Sequence, residues 1–121
     1  MSQAFFNTTW QSHPVQVMAG WDGIDSELYV KVFYLDERGE VDESPGLVLD
    51  AWKEVYPRPT EINDAAAALV MVIQDKLDRI GIVIPQLMLG EILARMVTDD
   101  NQTRTMYDEA GTAIAETSAG N

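Results

Sequence analysis

A chain of 121 residues with 46 % hydrophobic content can bury one core but not two, so residues 1–121 are expected to form a single domain. Eight Lys plus Arg stand against twenty Asp plus Glu, and the net charge of −12 opposes approach to nucleic-acid phosphates and anionic membrane surfaces. With no cysteine, the chain has no disulfide, no thiolate metal site and no cysteine nucleophile.

In chain order, residues 1–13 mix Asn, Thr, Gln and Ser with Phe5, Phe6 and Trp10. The polar residues predict a loose N-terminal arm. Its aromatics would be costly to leave in water, so the arm is expected to pack on its own domain rather than on a second subunit. No basic segment followed by an apolar one marks a secretory signal, and Gly81, Pro85 and Gly90 break the longest apolar stretches. A cytoplasmic protein is the resulting expectation.

Pro14 to Trp21 alternates, with Val15, Val17, Ala19 and Trp21 on one face, and reads as a strand. Glu27 to Leu35 is the strongest strand pattern, and Lys31 marks one of its faces as wet. Asp36-Glu37-Arg38-Gly39 supplies a hairpin turn with glycine where a positive φ is needed. A third strand is expected within residues 46–49. Residues 50–59, with Trp52, Val55, Tyr56 and two prolines, predict a connector containing a short helical turn.

The chain is organised around residues 59–99. Ile62, Ala66, Leu69, Ile73 and Leu77 recur at three- and four-residue spacing and predict one face of a helix, capped by Thr60 and stopped by Gly81. A second helix is expected from Pro85 to Val97. It is more apolar than one face requires, so it is either central in the core or exposed on one side to a partner. Thr103 to Tyr107 and Thr112 to Ala115 then predict a hairpin around Asp108-Glu109-Ala110-Gly111, an echo of the turn after Tyr34. Residues 117–121 are expected to be a disordered tail.

Chemical constellations are sparse. His13 is the only histidine, and beside Pro14 it reads as a surface residue rather than a general base. Gly20-Trp21-Asp22-Gly23 lacks the spacing and the lysine of a phosphate cradle. The acidic run Asp36, Glu37, Glu40, Asp42, Glu43 lacks the alternating carboxylates and sixth-position glycine of a calcium loop, and reads as a solvated hairpin. Asp75 and Asp78 belong to the polar face of an amphipathic helix.

Two features stand above this background. Large amphipathic aromatics (Trp10, Trp21, Trp52, Tyr56, Tyr107) are frequent outside the helices; they suit a binding surface, and equally the core of a small sheet. Residues 22–64 carry twelve acids against four bases. Negative charge concentrated in this way is how protein mimics of nucleic acid occupy basic clefts.

Val15 to Asp22 and Leu77 to Met88, with their Ala-Gly-Trp-Asp strand end and Leu-x-x-Ile-Gly-Ile-x-x-Pro helix break, resemble a family of small uncharacterised bacterial proteins, some carried on plasmids and phages. The family's Asn-containing link into a last strand is similar to Asn101 to Tyr107. Gly23-Ile24 and residues 40–59 depart from its pattern. The resemblance implies a shared fold and carries over no catalytic residue.

The expected fold is α+β: a mostly antiparallel sheet of about five strands, in the order β-β-β-α-α-β-β, with two helices on one face. The expected function is a non-enzymatic acidic module that binds a protein with a basic surface, with Asp36, Glu37, Glu40, Asp42, Glu43, Trp52 and Tyr56 as candidate binding residues and no cofactor or metal. Two alternatives are a structural or homodimeric subunit, and a small enzyme using Asp22 with Tyr29 or Tyr34.

Overall fold

The computed structural model describes residues 1–118. Its elements are β1 (Gln3–Trp10), β2 (His13–Asp22), β3 (Glu27–Leu35), β4 (Val41–Val55), α1 (Asp64–Asp78), α2 (Gln86–Thr98), β5 (Thr103–Tyr107) and β6 (Ala113–Ser118). The strands form one mixed sheet in the order β4-β3-β2-β1-β5-β6. All neighbours are antiparallel except β1 and β5, which run parallel. The fold is therefore α+β, with six strands where about five were expected.

The added strand is the predicted arm. Residues 3–10 form β1, an interior strand whose Ala4 and Phe6 are buried opposite Ala19 and Val17 of β2. Gln11 and Ser12 make the intervening two-residue turn with φ of 48° and 67°. Such turns normally use Asn or Gly, so the hairpin carried no turn signal in its sequence.

A second correction concerns β4. Residues 50–55 continue the strand rather than forming a helical connector. Leu49 and Trp52 oppose Val32 and Val30, whereas Leu47 and Asp42 oppose the adjacent Phe33 and Tyr34. These bulges break the two-residue alternation that identifies a strand. At the C-terminus, Thr117 and Ser118 belong to β6, and the remainder of the expected tail lies outside the described residues.

The two Asp-Glu-x-Gly turns are one device used twice. Asp36 N–H donates to the Glu40 carbonyl and Asp108 N–H to the Thr112 carbonyl, while Gly39 and Gly111 take φ of 79° and 84°. The Asp36 and Asp108 side chains accept backbone N–H bonds inside their own turns.

The helices cover one sheet face, formed by Ala4, Phe6, Val15, Val17, Ala19, Trp21, Leu28, Val30, Val32 and Tyr107. Asn63, not Thr60, caps α1 by accepting the Ala66 N–H at 2.8 Å. The helix buries Ala66, Val70, Ile73, Gln74 and Leu77, so its inner face is turned away from Leu69, which is half-buried, and from the exposed Ile62. Gly81 sits at φ 78° and ends the helical turn after Ile80. Gln74 fixes the link that follows: its amide donates to the Ile82 carbonyl at 2.9 Å and accepts the Ile84 N–H at 3.1 Å. From the sheet side, the Trp10 indole N–H donates to the Ile80 carbonyl at 2.8 Å.

Ile73→Ala is expected to lower unfolding stability by about 2–5 kcal/mol, and Leu69→Ala by clearly less, as urea melts would measure. Gly81→Ala should cost about 1–2 kcal/mol because its backbone is left-handed.

Candidate functional site

The acidic run lies on the β3–β4 hairpin at one edge of the sheet. Its carboxylates have two different jobs. Asp36 and Asp42 are partly covered and hold the backbone: Asp36 accepts the N–H groups of Arg38 and Glu40, and Asp42 accepts the Ser44 N–H at 3.0 Å and its hydroxyl at 2.5 Å. The bonds from Ser44, side chain first and backbone second, hold the Asp42 carboxyl below its usual range. Glu37, Glu40 and Glu43 are exposed and have no basic partner. Among the described residues the only ion pair is Glu91–Arg95, at 3.8 Å on α2.

Trp52 and Tyr56 do not join this cluster. Asp42 pairs with Tyr34 and Trp52 with Val30, four residues apart on β3, or about 13 Å. Trp52 packs against the core, with the Lys76 ammonium 5.3 Å from its ring centroid. Tyr56 donates its hydroxyl to Glu54 at 2.9 Å and its N–H to the Ser26 carbonyl. Burial first, and then the Glu54 carboxylate, raises its pKa. Both aromatics stitch the end of β4 to its neighbours.

The residues of the enzyme alternative are only partly brought together. Asp22 and Tyr29 line a cleft of about 220 Å³ on the uncovered sheet face, together with Met18, Glu27, Lys31 and Lys53. The Tyr29 hydroxyl is already committed to the Ser2 carbonyl, and burial raises its pKa. Tyr34 lies elsewhere, edge-on to Trp10 and His13 at centroid distances of 6.4 and 6.0 Å. Among the described residues no three His, Asp or Glu side chains converge as metal ligands.

The Ala-Gly-Trp-Asp stretch has a clear structural role. Ser2 is fully buried, and its N–H donates to the Trp21 carbonyl at 2.9 Å. A methyl at Gly20 would collide with the Ser2 carbonyl, and one at Gly23 with Asp99 and Asn101. The Trp21 indole N–H donates to Asp99 at 3.0 Å, and the Gly23 N–H to Asn101 at 2.6 Å. Next to this tie, burial lifts the Asp100 carboxyl, but bonds from Thr103 and the Gln102 N–H outweigh it and leave the pKa lowered.

Two buried polar groups lie under α2, of which Tyr107 was among the aromatics that suit a sheet core and Arg95 had no sequence signal. Arg95 is buried and donates to the Gln3 carbonyl and the Thr105 hydroxyl, joining α2 to β1 and β5. The Tyr107 hydroxyl is buried without a partner, and burial, then the Glu91 carboxylate, push its pKa up to about 12.

These elements define a class: a mixed α+β sheet with a helical layer on one face and an acidic hairpin at its edge. No protein-family model, curated protein or solved structure matches the chain. No helix among the described residues is long and apolar enough to cross a membrane.

Tyr107 is expected to make the protein alkali-sensitive. Its folded pKa lies above the ordinary 10.0, so the stability linked to its neutral form is full below pH 10.0 and is lost as pH rises toward about 12. Tyr107→Phe should flatten part of that loss in thermal melts. At pH 7 it should leave Tm unchanged or raised, because it deletes a buried hydroxyl without a hydrogen-bond partner.

Proposed function

We propose that the protein is a non-enzymatic acidic interaction module that binds a protein with a basic surface, as a mimic of nucleic acid does. The observation that supports this reading is the uncompensated hairpin: Glu37, Glu40 and Glu43 project into solvent with no cation in ion-pair range, in a chain of net charge −12. Unpaired surface charge extends its field outward over roughly 8–10 Å near physiological salt. It therefore favours encounter with an oppositely charged partner. Asp36 and Asp42 serve by fixing the hairpin that carries the three glutamates.

A second reading, a homodimer or a structural subunit closed through the uncovered sheet face, draws on Phe5, Met18, Phe33, Leu47 and Met106. These are half-buried on that face beside Lys31. Light scattering on the purified protein tests the homodimer form of this reading, since the first reading requires no self-association of the isolated chain.

The test of the first reading is capture from a lysate at low and high salt, by wild type and by the triple variant Glu37→Gln, Glu40→Gln, Glu43→Gln. Captured proteins should be basic, should be lost as salt rises, should be displaced by duplex DNA, and should be reduced with the triple variant. Capture that is indifferent to salt and to the three glutamates would overturn the reading.

A further inference from the structure

We propose that the groove between α1 and α2 seats a basic amphipathic helix of the partner. The groove, about 290 Å³, is lined by Met71, Gln74 and Asp78 of α1, Val83 and Ile84 of the link, and Leu89 of α2. Met71 is 45 % exposed and Val83 is 73 % exposed, in a region where the core below is already closed by Ile73, Leu77, Ile82 and Ile84. Two large apolar side chains left in water beside one groove are not needed to fill that core, and exposed apolar patches of this kind mark contact surfaces.

The floor of the groove is preformed. Gln74 bridges the Ile82 carbonyl and the Ile84 N–H and also donates to the Asp78 carboxylate at 2.8 Å, so the link is held in place before anything binds. A preformed groove loses less entropy on binding.

The charge around it selects the occupant. Asp64, Met71, Asp75 and Asp78 fall at intervals of seven, four and three residues, hence on one flank of α1. None of these three carboxylates has a basic partner within ion-pair distance. Lys76 is turned to the opposite flank, over Trp52. An apolar floor with an acidic wall fits a helix that presents an apolar stripe edged by Lys or Arg. An extended peptide has no sheet edge to pair with here, because helices and not strands form both walls. A second copy would bring another net charge of −12 against the same acids, and an anionic membrane is opposed for the same reason.

The inference rests on the proposed function for the basic character of the partner, but the surface it names is separate from the hairpin. The probe is a fluorescein-labelled peptide of Leu and Lys only, about 18 residues or roughly five turns long, with its leucines at helical spacing. Its control has the same composition with leucine and lysine alternating, which spaces the leucines for a strand. Fluorescence anisotropy should show the helical peptide binding at least about tenfold more tightly than the control, the equivalent of about 1.4 kcal/mol. Met71→Glu and Val83→Glu should each remove most of that difference while leaving the thermal melt near wild type, since both positions are exposed. The hairpin triple variant should keep it.

Equal binding of the two peptides, or a preference untouched by Met71→Glu and Val83→Glu, would overturn the groove assignment. Loss of the preference in the hairpin triple variant would overturn it as well, and would return the binding to the hairpin. A dimer seen by light scattering and abolished by Met71→Glu would assign the groove to a second copy and overturn the proposed occupant.

Discussion

The bond from the Trp21 indole to Asp99 joins the end of β2 to the end of α2, and the point at which the chain leaves the helical layer and returns to the sheet depends on it. Asp99 takes a left-handed backbone (φ 55°) that turns the chain out of the helix. Asp100 then holds the backbone of Gln102 and Thr103, and Asn101 reaches back to Gly23, so β5 starts at a fixed place and direction. Gly20 and Gly23 keep this junction close-packed by having no side chain where Ser2, Asp99 and Asn101 approach. The indole is also difficult to leave without its acceptor, because Trp21 is fully buried and loss of the Asp99 carboxylate would leave its N–H unpaired.

The readable parts of the fold were those whose signals are local. The alternation in β2 and β3, the helical spacing in α1 and α2, and Gly81 each state their geometry within a few residues. What failed depended on something else. β1 lacked a turn signal because Gln11 and Ser12 accept positive φ without glycine. The bulges of β4 scrambled its period, and the parallel pairing of β1 with β5 links residues about a hundred positions apart.

The candidate site was readable to the same extent. The acids of the hairpin are visible as composition, but the division between Asp36 and Asp42, which hold turns, and the free glutamates is a matter of backbone geometry. The exposure of Met71 agrees with the helical spacing, which leaves it off the inner face, whereas the rotation of α1 that buries Val70 in place of Leu69 could not be read.

Some of the cations serve the fold. Arg95 is buried among the Gln3 carbonyl, the Thr105 hydroxyl and Glu91, Arg58 donates to the Val97 carbonyl, and Lys76 lies over Trp52. Three of the eight basic residues thus hold backbone or aromatic groups in place while keeping their charge, and of the three only Arg95 is withdrawn from the surface.

The position of β1 has a consequence for the order in which the protein can form during synthesis. One edge of β1 pairs at once with β2, but the other must wait for β5, which leaves the ribosome only after both helices. Until then the nascent chain holds an open strand edge flanked by Phe5 and Phe6, the kind of surface on which other chains can assemble. Chains interrupted before Thr103 keep that edge for good. They are the forms of this protein most exposed to aggregation and to removal by chaperones and proteases.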